Sequence, residues 1–214
     1  MKYGINIHKG YTGSLRAFLC NVLLVYAAYF VCRVAFVFEN WAVYSDTLFD
    51  NRLTDLLVGS LMFDTSAILY TNALYALFML FPLHYKESDL WQKVCRWVFV
   101  IVNGLCLSMN LADAVYVKYT GRRTTVTVFS EFRNEDNLGS VFGSELVSHW
   151  YLVILGIALI VALWFLYRRP AGSFPQKAKP LGTFSLKGAR QWIAYYAVSV
   201  LAFVIYIPLT IGGM

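Results

Sequence analysis

The sequence predicts an all-α, polytopic membrane protein. Three observations predict it: five apolar stretches of near-bilayer length, a lopsided spread of cations between them, and tryptophans at their ends. Of 214 residues, 59 % are hydrophobic and 14 % charged, with a mean hydropathy of +0.57, far from a soluble globular average. A spanning helix needs about 20 apolar residues to cross roughly 30 Å of hydrocarbon. Ala17–Phe38, Leu56–Pro82, Trp97–Val117, Trp150–Tyr167 and Trp192–Ile211 meet or nearly meet that length. Within lipid the backbone must satisfy its own polar groups, so these segments are expected as helices. A soluble fold accommodates one or two all-apolar helices, but five leave no amphipathic layer to face water.

Charge sets the orientation. With the N-terminus in the cytoplasm, the inner side carries Lys2, Lys9, Arg16, Lys86, Lys93, Arg96, Arg168, Arg169, Lys177, Lys179, Lys187 and Arg190 against Glu87 and Asp89. The outer side carries Arg33, Arg52, Lys118, Arg122, Arg123 and Arg133 against the ten remaining carboxylates. Twelve cations inside to six outside is a positive-inside bias. Five spans from an inner start then put the C-terminus on the extracytoplasmic side.

Taken in order, Met1–Arg16 is a basic leader in which Thr12-Gly13-Ser14 offers a helix cap before Leu15. The first span is not a cleavable signal, being too long and lacking a small-residue cleavage site. The segment at about 41–52, with Trp41, Tyr44, Leu48 and Phe49, reads as an amphipathic turn in the interface. The second span closes at Pro82, and the short connection His84–Lys93 makes it an antiparallel hairpin with the third. Lys118–His149 is the longest outer loop; about 124–133 reads as a second interfacial segment, and Asn134–Gly143 as polar and turn-forming. Arg168–Arg190, with Pro170, Pro175 and Pro180, reads as a flexible inner connection before the fifth span. Trp91, Trp97, Trp150, Trp164 and Trp192 fall near span ends as an aromatic belt.

The net charge of +6 does not point to nucleic acid. The cations flank spans on one side, as topology and anionic lipid require. Cys20, Cys32, Cys95 and Cys106 show no C-x-x-C spacing and read as free thiols acting as small hydrophobes. No Walker motif, H-E-x-x-H or G-x-S-x-G occurs, and no metal set or catalytic constellation is expected in these residues. Thr124, Thr125 and Thr127 have no neighbouring base and read as capping or hydrogen-bonding residues rather than nucleophiles.

Ionisable side chains within a span cost about 2.5–3.5 kcal/mol each on insertion scales and so ask for partners. Arg33, Asp64, Asn110 and Asp113 fall at one depth in the outer third of the membrane, with Lys118, Arg122 and Arg123 immediately above. Two compatible readings stand. In one, Arg33 pairs with Asp64 or Asp113 to lock the bundle while Asn110 bonds a neighbouring helix. In the other, the cluster is an outward-facing pocket in which Arg122 and Arg123, with Lys118 and Thr124, hold a lipid headgroup phosphate.

Several stretches bear a resemblance. Gly59-Ser60-Leu61-Met62-Phe63-Asp64-Thr65-Ser66-Ala67, then Asn110-Leu111-Ala112-Asp113-Ala114-Val115-Tyr116, then Gly121-Arg122-Arg123-Thr124-Thr125 with Phe129-Ser130-Glu131-Phe132, resemble the transmembrane domain of the lipoteichoic-acid synthase family. Gly212-Gly213 sits where that family leaves its fifth helix. The resemblance covers essentially the whole chain. It implies a bacterial cytoplasmic (inner) membrane location and a sulfatase-like transferase that moves phosphoglycerol or phosphoethanolamine from a phospholipid to an extracytoplasmic acceptor. It also implies a soluble catalytic domain after residue 214, carrying the nucleophile and a divalent metal. The partners implied are membrane phospholipid and that domain. Only Asp64, Asn110, Asp113, Arg122, Arg123 and Thr124 match the family's membrane motif. Two rivals remain open: a stand-alone lipid-binding or regulatory membrane protein, and a small transporter. No internal repeat supports the latter.

Overall fold

The structure is a computed structural model, and it describes residues 7–48, 53–80, 89–121, 124, 138–170, 197, 200, 201 and 204–206. All regular elements among them are helical: α1 (Ile7–Glu39), α2 (Trp41–Leu48), α3 (Leu53–Thr71), α4 (Ala73–Leu80), α5 (Asp89–Thr120), α6 (Leu138–Ser148) and α7 (Trp150–Leu166). Helical residues recur at 197, 200, 201 and 204–206. Helices α1 and α5 are each long and apolar enough to cross a membrane; α7 is a shorter apolar helix.

The first helix begins ten residues before the predicted span, and Thr12-Gly13-Ser14 lies inside it rather than capping it. No proline interrupts that stretch. A single interior glycine costs only about 1 kcal/mol, too little to stop a helix of this length. The helical ladder also runs on past both short breaks. The Asn40 N–H donates to the Phe36 carbonyl at 3.1 Å, and the Tyr44 N–H to the Asn40 carbonyl at 3.2 Å. Likewise the Asn72 N–H donates to Ile68 at 3.0 Å and the Ala76 N–H to Asn72 at 2.8 Å, so α3 and α4 together fill most of the predicted second span. One stretch read as turn-forming is partly helical: α6 begins at Leu138. Leu138, Val141, Phe142 and Leu146 supply apolar positions at helical spacing, a pattern that the polar residues just before them obscure.

Contacts give the direction of each helix. Arg33 meets Asp64 and Asn21 meets Tyr75, so α1 runs against α3 and α4. Arg96 reaches Trp164, while a Cβ at Gly104 would touch Ile160 and one at Gly156 would touch Leu111, so α5 runs against α7. Tyr75 stacks on Phe18 and packs at a tilt against Phe99, while Asn40 bonds Ala114; α1 and α5 therefore point the same way. The glycines let α5 and α7 approach closely, as small residues do between membrane helices. Tyr206, from the predicted fifth span, packs edge-on against Phe18 at 6.3 Å and donates to the Leu69 carbonyl.

The distribution of polarity is the reverse of a water-soluble bundle. Phe63 is 75 % exposed, Phe38 73 % and Phe165 76 %, and Leu23, Leu105 and Ile157 are also on the outside. Asparagines occupy the inside: Asn21, Asn40, Asn72 and Asn103 are all buried. Asn72 and Asn103 form a reciprocal amide pair, with Nδ2-to-Oδ1 distances of 3.0 and 2.8 Å. Each amide also donates one turn back along its own helix, Asn72 to Ile68 and Asn103 to Phe99. Asn103→Leu leaves the Asn72 Oδ1 without its donor and is expected to destabilise the bundle by about 1–2 kcal/mol. The double change Asn72→Leu with Asn103→Leu is expected to recover most of that loss in unfolding from mixed micelles. A double variant weaker than the single one would mean that the pair does not hold the helices together. The four cysteines are free; Cys32 and Cys95 lie within the apolar core.

Candidate functional site

Polar side chains from five helices gather at the end of the bundle where α1 and α5 finish. Their deepest member is the Arg33–Asp64 pair. Arg33 Nε donates to Asp64 Oδ2 at 3.0 Å while Nη2 donates to Oδ1, a two-pronged geometry that matches the planar guanidinium to the carboxylate. The side chains are 20 % and 15 % exposed, so the pair is largely withdrawn from its surroundings. Beside it, Tyr29, Cys32, Arg33, Phe36 and Asn110 line a recess. The choice left open between Asp64 and Asp113 as the partner of Arg33 thus falls to Asp64.

Asp113 is used differently. Its Oδ1 accepts the Thr124 backbone N–H at 3.0 Å, a carboxylate holding the chain as it leaves α5. Gly121 makes that exit possible with a φ of +67°, a left-handed backbone that L side chains rarely adopt. Its N–H closes on the Val117 carbonyl at 2.8 Å. Thr124 therefore takes part through its main chain, as a hydrogen-bond donor. Asn110 was expected to reach a neighbouring helix, but its amide bonds the Cys106 carbonyl of its own helix at 3.1 Å. It joins the cluster only as a wall of the recess. Arg122 and Arg123 lie outside the described residues, as does the predicted interfacial segment after Thr124.

Above this level Glu39 is a hub that the sequence did not reveal. Its Oε1 faces Lys118 Nζ at 3.2 Å and His149 Nε2 at 3.2 Å, and its Oε2 accepts from the Tyr151 hydroxyl. His149 Nδ1 in turn lies 3.3 Å from Glu145 Oε2, and the Tyr119 hydroxyl donates to Glu145 at 3.3 Å. Lys118, expected to face a lipid phosphate, is thus engaged by a carboxylate. His149 sits between two, Glu39 and Glu145. A cation and an acid at the ends of separate apolar spans were the available signal, but their pairing depends on α1 and α5 ending at the same height.

The charge balance decides what this end can do. Among the described residues, Arg33 and Lys118 face Glu39, Asp64, Asp113 and Glu145. Two cations against four carboxylates repel an anion, so a phosphate here would depend on Arg122 and Arg123. No group of three or more His, Cys, Asp or Glu side chains among the described residues is placed to hold a metal ion. Comparison of the chain with protein-family models, with curated proteins and with solved structures finds no match in any of the three.

Proposed function

We propose that the chain is a five-span membrane domain that positions a phospholipid headgroup at its extracytoplasmic end for a headgroup transferase. The transferase would be of the lipoteichoic-acid-synthase type, moving phosphoglycerol or phosphoethanolamine to an extracytoplasmic acceptor. The chemistry would be that of a catalytic domain, and these residues supply the anchor and the lipid-facing platform. The observation that carries this reading is the Asp113–Thr124 hydrogen bond at 3.0 Å. It fastens the chain immediately after Arg122 and Arg123 at the level of the Arg33–Asp64 pair. The local excess of carboxylates described above gives those two arginines a field that favours cations, and a lipid phosphate can share them through two-pronged hydrogen bonds. The inside-out polarity of the bundle supports a lipid environment, and the cation bias along the sequence supports the orientation.

The test is headgroup transfer in membranes bearing the chain joined to a catalytic domain of that type, with labelled phosphatidylglycerol and a soluble glycerophosphate ester as alternative donors. Replacing Arg122 and Arg123 together by Ala is expected to lower turnover of the lipid about tenfold, the worth of roughly one charge-assisted hydrogen bond, and to spare the soluble ester. Equal loss on both donors would defeat lipid positioning. Absence of transfer from the unchanged protein would leave the stand-alone lipid-binding reading in its place.

A further inference from the structure

The opposite end of the bundle carries a second cluster, built around the last turn of α7. The Arg96 guanidinium lies 3.9 Å from the centre of the Trp164 ring and donates to the Trp164 carbonyl. A cation thus meets one of the carbonyls that an α-helix leaves unsatisfied at its negative end. Trp97 packs edge-on against the same Trp164 at 4.8 Å. Just beyond, the backbone of Arg168 is clasped by the buried Asn21: its N–H donates to Oδ1 at 2.8 Å and its carbonyl accepts from Nδ2 at 2.9 Å. This fixes where the chain leaves α7 and holds the exposed side chains of Arg168 and Arg169 at the N-terminal end of α5. There Arg169 Nη1 lies 4.0 Å from Asp89. Asp89, Lys93 and Arg96 follow at i, i+4 and i+7 on α5, one helical face.

Among the described residues, four cations are therefore drawn to one seam with one nearby carboxylate, and Asp89 is too exposed, at 68 %, to neutralise them. The neighbouring surface is apolar: Leu90, Val94 and Trp97 on α5 and Phe165 and Leu166 on α7 are all exposed. A charged seam that opens onto an apolar wall matches the two ends of one molecule, an anionic head and an acyl chain. The geometry points to a binding site for an anionic phospholipid at the seam of α5 and α7, its phosphate among Lys93, Arg168 and Arg169 and its chain along Trp97. Arg96 is the positioning residue, holding Trp164 and the end of α7 in place. The site is independent of the headgroup reading at the other end of the bundle, which uses none of these residues.

The test is lipid retention by the purified protein in mixed phosphatidylglycerol and phosphatidylcholine nanodiscs, read by native mass spectrometry. The unchanged protein is expected to retain phosphatidylglycerol preferentially. Arg168→Gln with Arg169→Gln is expected to weaken that preference about thirtyfold, since each of the two basic residues near an anionic surface contributes about 1 kcal/mol. This variant keeps the Asn21 clasp, which uses only the Arg168 main chain, so folding is preserved; unchanged helical circular dichroism checks it. Arg122→Ala with Arg123→Ala, added to both proteins, removes the lipid site proposed at the far end, so that the remaining preference reports on this seam. Equal retention of the two lipids by the unchanged protein, or full preference in the double variant, would overturn the site. Displacement of the bound lipid by millimolar glycerophosphate would also overturn it, by showing a site for the free anion.

Discussion

Asp64→Ala is expected to destabilise the bundle by about 3 kcal/mol, the low end of what breaking one partner of a buried ion pair costs. The cost comes from what remains. The substitution removes the carboxylate that receives two of the Arg33 N–H groups and leaves the guanidinium without that partner. Six residues separate Arg33 from the end of α1, a rise of about 9 Å, so the long side chain can partly reach the interface; this holds the cost near the lower bound. Arg33→Met combined with Asp64→Leu removes both charges and is expected to fall within about 1 kcal/mol of the unchanged protein. Unfolding free energies in mixed micelles check both values. A double variant as weak as the single one would show that the pair contributes packing rather than charge compensation. Asp113→Ala is expected to cost less, because Asp113 accepts a main-chain N–H and leaves no orphaned cation.

The second large effect is expected at Asn21. One fully buried amide makes three hydrogen bonds, to the Tyr75 hydroxyl at 2.8 Å and to both main-chain groups of Arg168. Asn21→Leu conserves volume but strands all three partners, each at about 1–3 kcal/mol when no water reaches it. The Tyr75 hydroxyl stays buried, whereas the Arg168 main chain lies at the end of the bundle and can rehydrate. A total of about 3 kcal/mol follows, most of it from Tyr75 and the loosened exit of α7. Adding Tyr75→Phe is expected to return about 1 kcal/mol. A cysteine introduced at position 169 is expected to label several-fold faster in the Asn21→Leu background. Unchanged labelling would mean that the clasp does not fix the chain after α7.

The bulk organisation was legible from hydropathy because lipid imposes a simple rule: backbone groups must be satisfied within the segment, and side chains facing outward must be apolar. Hence the first four apolar stretches and the helices α1, α3–α4, α5 and α7 coincide in their cores. The limits of the helices were less legible. A span is read from apolar residues, but a helix continues into polar sequence as long as nothing breaks it, as α1 and α5 do. The start of α6 inside a stretch read as turns has the same origin.

The candidate site was legible only as a depth. Counting along spans put Arg33, Asp64, Asn110 and Asp113 at one level, and the structure brings Arg33 and Asp64 together there. It separates the roles of the others, Asp113 holding Thr124 and Asn110 turning back on Cys106. Glu39, His149, Tyr151 and Asn21 were not singled out as site residues, since each acquires its role from a helix distant in sequence.

By itself, then, the amino-acid order determined where the cores of the first four apolar helices lie, that they are apolar enough for lipid, and how the cations divide between the stretches that join them. Those properties reside in single residues and in their local spacing. Only the tertiary structure decided that Arg33 chooses Asp64, that Glu39 gathers Lys118, His149 and Tyr151, that Asn72 pairs with Asn103, and that Arg168 is clasped by Asn21. The physical reason is rotation: hydropathy sets how deep a residue sits along its helix, but which neighbour it meets depends on the azimuth at which the helices pack. That azimuth is set by contacts such as Gly104 against Ile160 and Gly156 against Leu111, which no single segment contains.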